Sequence, residues 1–326
     1  MRIGVVTEAY YPSVGGIQDH VHQFAREARR LGHTVRVVTS VMPDLRRVGA
    51  PEDGANDVIR LGPSLPIYRH GSLSRVTAGT GVGTALREVL ARERFDVVHV
   101  HAPLTPVLPL LAIHHATGPV VGTFHTRLRP TPFLRLTRRW LQRYLDRLDA
   151  AVAVSRACVA AVKDQLQADF RIIPNGVDVE QFGRGRKLRR FEDGKLNVLW
   201  VGRLEPRSGL DRMIIAFHRA WKQIDTRLIV VGDGPLLPRY RALVPREMAE
   251  DVVFAGQVGE ERADWFASSD VCCVPARSAA FGQPVLEAMA AGKPVLASDV
   301  DGHRELMQHG REGELLSADD PAAWAR

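Results

Sequence analysis

Cysteine is scarce in this chain, with three residues in 326. So few cannot build a disulfide framework, and Cys272 and Cys273 sit in Asp270–Val274, an apolar run that reads as a buried strand. A reducing, cytosolic compartment is the expectation. No apolar run reaches the ~18 residues that a membrane-spanning helix needs. The richest, Leu104 to Ile113, is broken by Pro106 and Pro109. Met1-Arg2 leads straight into Ile3-Gly4-Val5-Val6, without the charged, apolar and cleavage regions of a secretory leader. Acidic residues are outnumbered, 37 against 44 basic, and the net charge is +7. From Arg127 to Arg147 seven arginines meet one acid, Asp146, and a second cluster comprises Arg184, Arg186, Lys187, Arg189 and Arg190. No nucleic-acid-binding motif accompanies this charge, so nucleic acid is not an expected partner. Phe133, Leu134, Leu136, Trp140, Leu141, Tyr144 and Leu145 interleave the first cluster. Two readings stay open for it: a solvated helix face, or an amphipathic helix meeting an anionic membrane.

A length of 326 residues suits two domains. Short runs rich in Val and Ile alternate with helical patterns. Strands are predicted at Ile3–Thr7, Val35–Thr39, Val58–Leu61, Val97–Val100, Val120–Thr123 and Ala151–Val154. Further on they are predicted at Asn197–Val201, Leu228–Val231, Val252–Phe254, Val271–Val274 and Val295–Ala297. The runs do not alternate apolar with polar, so helices cover both sheet faces. The fold class is α/β, with doubly wound parallel sheets. A Gly- and Arg-rich stretch divides the halves, giving domains at 1–174 and 195–326 with a linker at 175–194. Ligands of such sheets bind beyond the carboxyl ends of the strands, and two domains facing a cleft would let two substrates meet. Pro321–Arg326 reads as the opening of a helix cut short.

Three segments carry chemistry on their residues alone. Tyr11-Pro12-Ser13-Val14-Gly15-Gly16-Ile17-Gln18-Asp19-His20 follows the first strand and opens a helix, where glycines admit a ligand and the helix start favours a phosphate. It lacks the G-x-G-x-x-G of a dinucleotide site. His99, His101 and His125 end strands; no carboxylate or cysteine is spaced to complete a metal site with them, and structural hydrogen bonding is the plain alternative. From Pro275 to Pro294 the chain reads as strand end, Phe281-Gly282 turn and short helix, with Pro284 in the first turn, Gly292 at the close and Glu287 one turn inside.

That last segment closely resembles the donor-sugar signature of glycosyltransferase family 4, retaining enzymes of the GT-B fold. Val201-Gly202-Arg203-Leu204-Glu205-Pro206-Arg207-Ser208-Gly209-Leu210, Val231–Pro235 and Phe254–Val258 follow the family order, so the resemblance covers nearly the whole chain. Within the family the chain is most similar to phosphatidylinositol mannosyltransferases. The resemblance implies a hexose, mannose from GDP-mannose, moved to a lipid or polyol-phosphate acceptor without metal or other cofactor, at the cytoplasmic face of the membrane. It implies catalytic roles for His125 and Arg203, the arginine supporting the diphosphate as it leaves. It implies donor contacts from Gly15, Gly16, Arg203, Arg207, Ser208, Val258, Phe281, Gly282, Gln283 and Glu287. Acceptor contacts fall to Gln18, Ser72, Arg75 and His125, the middle two in the Gly71-Ser72-Leu73-Ser74-Arg75 loop. His99 and His101 are left to the core. The chain departs from the family at two positions. Ala279 replaces a glutamate that touches the transferred sugar, and Ser208 replaces a lysine that touches the diphosphate. The alternative is therefore a weakened or inactive relative that binds nucleotide-sugar or a partner.

Overall fold

The computed structural model describes residues 1–13, 15–42, 57–69, 72–126, 131–259 and 261–326; for residues 68, 69, 72–74 and 133 it describes the backbone only. The chain divides into two compact units, one holding Met1–Arg69 and Leu73–Asn175, the other centred on Gly176–Arg326.

The first unit contains β1 (Arg2–Val6), α1 (Gly16–Arg30), β2 (Thr34–Val41), β3 (Val58–Arg69), β4 (Ser72–Thr77), α2 (Val82–Glu93), β5 (Val97–His101) and α3 (Leu108–His115). It continues with β6 (Val120–Phe124), α4 (Pro132–Leu145), β7 (Ala150–Ala153), α5 (Arg156–Lys163) and β8 (Phe170–Ile172). The sheet order is β4-β3-β2-β1-β5-β6-β7-β8, with β1 parallel to both β2 and β5. The lack of alternation in the strands has a direct cause. Val5 and Val37 pack with Val21 and Ala25 of α1, while their neighbours Val6 and Val38 pack with α2 and α3 on the opposite face. Both faces are core, so Val5-Val6 and Val37-Val38 run apolar without alternation.

The second unit contains α6 (Val179–Gly183), β9 (Leu196–Val201), α7 (Leu210–Trp221), β10 (Thr226–Val231), α8 (Leu237–Ala242), β11 (Val252–Gly256) and α9 (Arg262–Ala267). It closes with β12 (Val271–Val274), α10 (Gln283–Ala290), β13 (Val295–Ser298), α11 (Asp301–Arg304) and β14 (Gly313–Leu316). Its order is β11-β10-β9-β12-β13-β14, and β9 is parallel to both β10 and β12. Leu199, Ile229 and Cys272 face Val285 and Ala288 of α10; Trp200, Val230 and Cys273 face Met213 and Phe217 of α7. The three cysteines are free and buried, and burial pushes the Cys273 thiol up to about 12, which leaves it inert.

The strands read from sequence are all present. The structure adds β4, β8 and β14 and carries β3 on through Arg69, where the sequence reads as a loop because Gly62, Pro63 and Pro66 interrupt the apolar run. Segment 175–194 holds α6 and a 3-10 turn at Arg189–Phe191, and Phe182 and Phe191 are buried in the second unit's core. Two aromatics are too few to make a period. At 323–325 a further 3-10 turn sets Trp324 beside α7, with its indole N–H donating to the Ser317 carbonyl at 2.9 Å.

Candidate functional site

In a doubly wound sheet the chain reverses its direction of winding at one strand, and the loops at the carboxyl ends there diverge and leave room for a ligand. In the first unit the reversal lies between β1 and β5. Beyond β1, Gly15 precedes α1 and Gly16 opens it. Gln18, expected to touch acceptor, is buried and turns back on its own loop: its side-chain amide donates to Ser13 Oγ at 2.8 Å. Beyond β5 and β6 stand His101 and His125, and the ring nitrogens His101 Nδ1 and His125 Nε2 share a 2.8 Å hydrogen bond. His20 from α1 closes the group, its ring 4.8 Å from that of His125. His99 lies against His101, ring centroids 4.3 Å apart and tilted by 36°, and bonds Thr123 Oγ1 at 2.7 Å. Burial keeps these imidazoles neutral: it lowers His20 and His99 to about 4 and pushes His101 and His125 well below the usual range. His125 is therefore a neutral imidazole.

Glu8, just past β1, was passed over by the sequence reading. Its buried carboxylate accepts the Leu108 N–H at 2.9 Å, so it caps α3, and the Thr77 N–H at 2.8 Å, so it ties the edge strand β4 to β1. Arg75 lies on β4 and donates through Nε to Ser64 Oγ at 2.9 Å and through Nη2 to the Ser64 carbonyl at 3.1 Å. Ser72 opens β4, but its side chain lies outside the described residues, as do Val14, Gly71 and the arginines at 127 and 129.

In the second unit the reversal lies between β9 and β12. The Arg203–Gly209 loop follows one and the Pro275–Gly282 loop the other. Arg277 N–H donates to the Arg207 carbonyl at 2.9 Å, joining them. Gly209 seals the contact: it has φ +75°, and a Cβ there would stand 1.9 Å from the Pro275 carbonyl oxygen. Glu205, with a side chain 1% exposed, holds both arginines of the first loop. Arg203 Nε lies 3.1 Å from one carboxylate oxygen and Arg207 Nε 3.0 Å from the other. Burial lowers the pKa of Arg203 while Glu205 opposes that shift, so the cation is retained in a poorly solvated place. Tyr240 donates to the Glu205 carbonyl at 2.9 Å from beneath. Ser208 N–H donates to that same carbonyl at 3.1 Å, which closes the turn. Arg277 is drawn the other way, to Asp211 at 2.5 Å.

At the start of α10 the expected anion cradle is narrower than Phe281–Val285. The Val285 N–H donates to the Gly282 carbonyl at 3.0 Å and Pro284 has no N–H, which leaves the amides of Phe281, Gly282 and Gln283. The Gln283 side chain donates to the Gly176 carbonyl at 3.3 Å. Glu287 faces inward and is 3% exposed; Arg262 of α9 meets it at 2.7 Å. Nothing in the sequence marks Arg262, whose partner is 25 positions away on another helix. Buried His303 donates Nδ1–H to the Ser298 carbonyl at 2.8 Å and packs beside Gly282. Val258 follows β11, partly buried against the core.

Two stretches of the chain match known sequence families. The family described as Glycosyltransferase Family 4 matches residues 14–181, and the one described as Glycosyl transferases group 1 matches residues 195–326. The phosphatidyl-myo-inositol mannosyltransferase of Mycobacterium leprae (strain TN) is 34% identical over 332 residues, covering 100% of this chain and 86% of that protein. A GDP-mannose-dependent alpha-mannosyltransferase of Mycolicibacterium smegmatis is 30% identical, covering 98% and 85%. Among solved structures, Anabaena Alr3699/HepE in complex with UDP and glucose superposes with a TM-score of 0.76 at 21% identity over 100% of this chain and 88% of that one. The two successive Rossmann-like units are the GT-B fold.

Proposed function

Since this chain belongs to glycosyltransferase family 4, we propose that it is a retaining hexosyltransferase that moves mannose from GDP-mannose to a lipid or polyol-phosphate acceptor without metal. The observation that carries this reading is the pair of loops at the β9/β12 reversal, where Glu205 holds Arg203 and Arg207 and a backbone bond from Arg277 ties that loop to the one leading into α10. Negative charge grows on the diphosphate as the sugar bond breaks. Cations and N–H groups already oriented there stabilise that charge without reorganising. Arg203 supports the leaving group, Phe281–Gln283 supply amides, and Glu287 with Val258 serves the nucleoside. His125, kept neutral by burial, stands at the acceptor hydroxyl, Ser72 and Arg75 serve the acceptor phosphate, and Gln18 braces the loop on the acceptor side.

The acceptor reading extends to the membrane. Helix α4 shows solvent Leu136, 85% exposed, and Trp140, 46% exposed, among Arg135, Arg138, Arg139 and Arg143. Such a face inserts its apolar side chains among headgroups while its arginines meet anionic lipid. No helix among the described residues is long and apolar enough to cross a membrane. Flotation with phosphatidylinositol vesicles should carry the protein up at low salt and release it at high salt. Binding that ignores both salt and lipid charge removes the membrane contact.

The deciding assay offers GDP-mannose and UDP-glucose to the protein with phosphatidylinositol vesicles and follows radiolabel into lipid. Transfer from GDP-mannose supports the reading; nucleotide binding without transfer or hydrolysis to any acceptor sinks it. One observation favours the second reading, a weakened enzyme. Arg207 and Arg277, the cations able to stand in for the family lysine, are committed to Glu205 and Asp211. On that reading Ser208→Lys with Ala279→Glu raises turnover, since one preorganised donor is worth about 10²–10³ in rate.

A further inference from the structure

We propose that His20, His101 and His125 form a binding site for a divalent first-row transition ion of the zinc class, and that the ion inhibits transfer. Among the described residues these three side chains form the group of His, Cys, Asp or Glu whose ligand atoms all lie within 4.8 Å of one another. They come from three separate elements, α1, the end of β5 and the turn beyond β6, so the sheet and helix hold them in place independently. His101 is fully buried, and its Nε2 has no hydrogen-bond partner among the described residues. Buried polar atoms are almost always partnered, and each exception calls for a reason such as an ion that sits there. Three imidazoles with one open position is the ligand set of zinc centres that keep a water or substrate oxygen as fourth ligand. Imidazole nitrogen also suits copper, nickel and cobalt, whereas magnesium and calcium prefer oxygen ligands.

The distances require a modest adjustment. Tetrahedral zinc with bonds of 2.0–2.1 Å keeps its ligand nitrogens roughly 3.3 Å apart. The ligand atoms of the three rings, which lie within 4.8 Å of one another, close to that spacing on binding. His99, packed against His101 and bonded to Thr123, backs the group and limits its rotation. An ion here takes the lone pair of His125, so metal and acceptor exclude one another. That consequence rests on the function proposed above; the site itself does not.

Cobalt provides a test that needs no turnover. Tag-free full-length protein, titrated with Co²⁺, should take up one ion per chain and develop visible d–d absorption, and Zn²⁺ should displace it. His20→Ala, on a partly exposed helix face, should fold as the parent by circular dichroism and weaken cobalt binding by at least about tenfold, since even indirect partners of a metal are worth 10–100-fold. His101→Ala is the second variant, with the same expected loss. Absence of d–d absorption in the parent overturns the site, as does unchanged affinity in folded His20→Ala. With an active preparation, Zn²⁺ should inhibit mannosyl transfer, EDTA should restore it, and His20→Ala should raise the zinc needed. Uptake of cobalt without any transfer would sink the proposed function and leave the metal site standing.

Discussion

Arg262 of α9 lies 2.7 Å from the Glu287 carboxylate of α10, and the glutamate side chain is 4% exposed. Two helices that the chain separates by strand β12 are thus joined by a desolvated ion pair directly under the candidate donor loop. A buried pair contributes little net stability against an apolar replacement, but breaking it from one side is costly.

Arg262→Met should therefore destabilise the second unit by about 3 kcal/mol, because Glu287 keeps its charge with a main partner gone. Arg262→Met with Glu287→Gln together should recover most of that loss. Urea unfolding of the two single variants and the double variant measures the coupling. Additive losses would mean that the pair is not energetically joined.

The carboxylate of Glu205 gives a ranking. Its side chain is 1% exposed, Arg203 is 27% exposed and Arg207 is 49% exposed. Glu205→Gln should cost about 3–5 kcal/mol, because Arg203 and Arg207 lose the buried carboxylate they share. Arg207→Ala should cost no more than about 1 kcal/mol, because water screens an exposed pair. Arg203→Ala should weaken nucleotide-diphosphate binding measured by calorimetry. Equal stability losses in Glu205→Gln and Arg207→Ala would contradict the ranking.

Acid should weaken the first unit over a defined window. His20 and His99 titrate near 6.5 when unfolded and at about 4 when folded, chiefly through burial. Between those values the unfolded chain binds more protons, so stability is complete above about pH 6.5 and falls as pH drops towards 4. Each ring is worth on the order of 3 kcal/mol across the window. Urea midpoints at pH 7.5, 6 and 5 should fall in that order, and His99→Gln should flatten the trend. A midpoint that does not change with pH would show that the rings are hydrated in solution.

Close packing gives a further test. A Cβ on Gly302 would stand 2.6 Å from the Ala279 carbonyl oxygen and 2.8 Å from the Phe281 nitrogen. Gly302→Ala should force the Ala279–Phe281 loop aside, cost about 1–3 kcal/mol and raise the dissociation constant for nucleotide-sugar. Unchanged thermal unfolding and unchanged affinity would show that the loop yields freely.

Much of this protein is legible along its chain. Apolar runs such as Ile3–Val6 and Val295–Ala297 declare strands because a sheet covered on both faces demands an apolar side chain at every position. The helix start at Gln283 declares itself because Pro284, with its fixed φ and no N–H, suits the first turn and few other sites. From such local demands the order of elements follows, and with it a doubly wound fold in two units. Periodicity cannot convey what comes together from separate elements. His20 reads as one polar residue of a helix, and only the parallel pairing of β5 with β1 and β6 brings His101 and His125 to it. Arg262 meets Glu287, and Glu8 meets both Leu108 and Thr77, across separations that leave no trace in spacing. Local conformation is a property of neighbouring residues, so sequence alone determined the elements. Electrostatic pairing and burial depend on distance through space, so only the tertiary structure decided which groups are charged, which are paired and which are neutral.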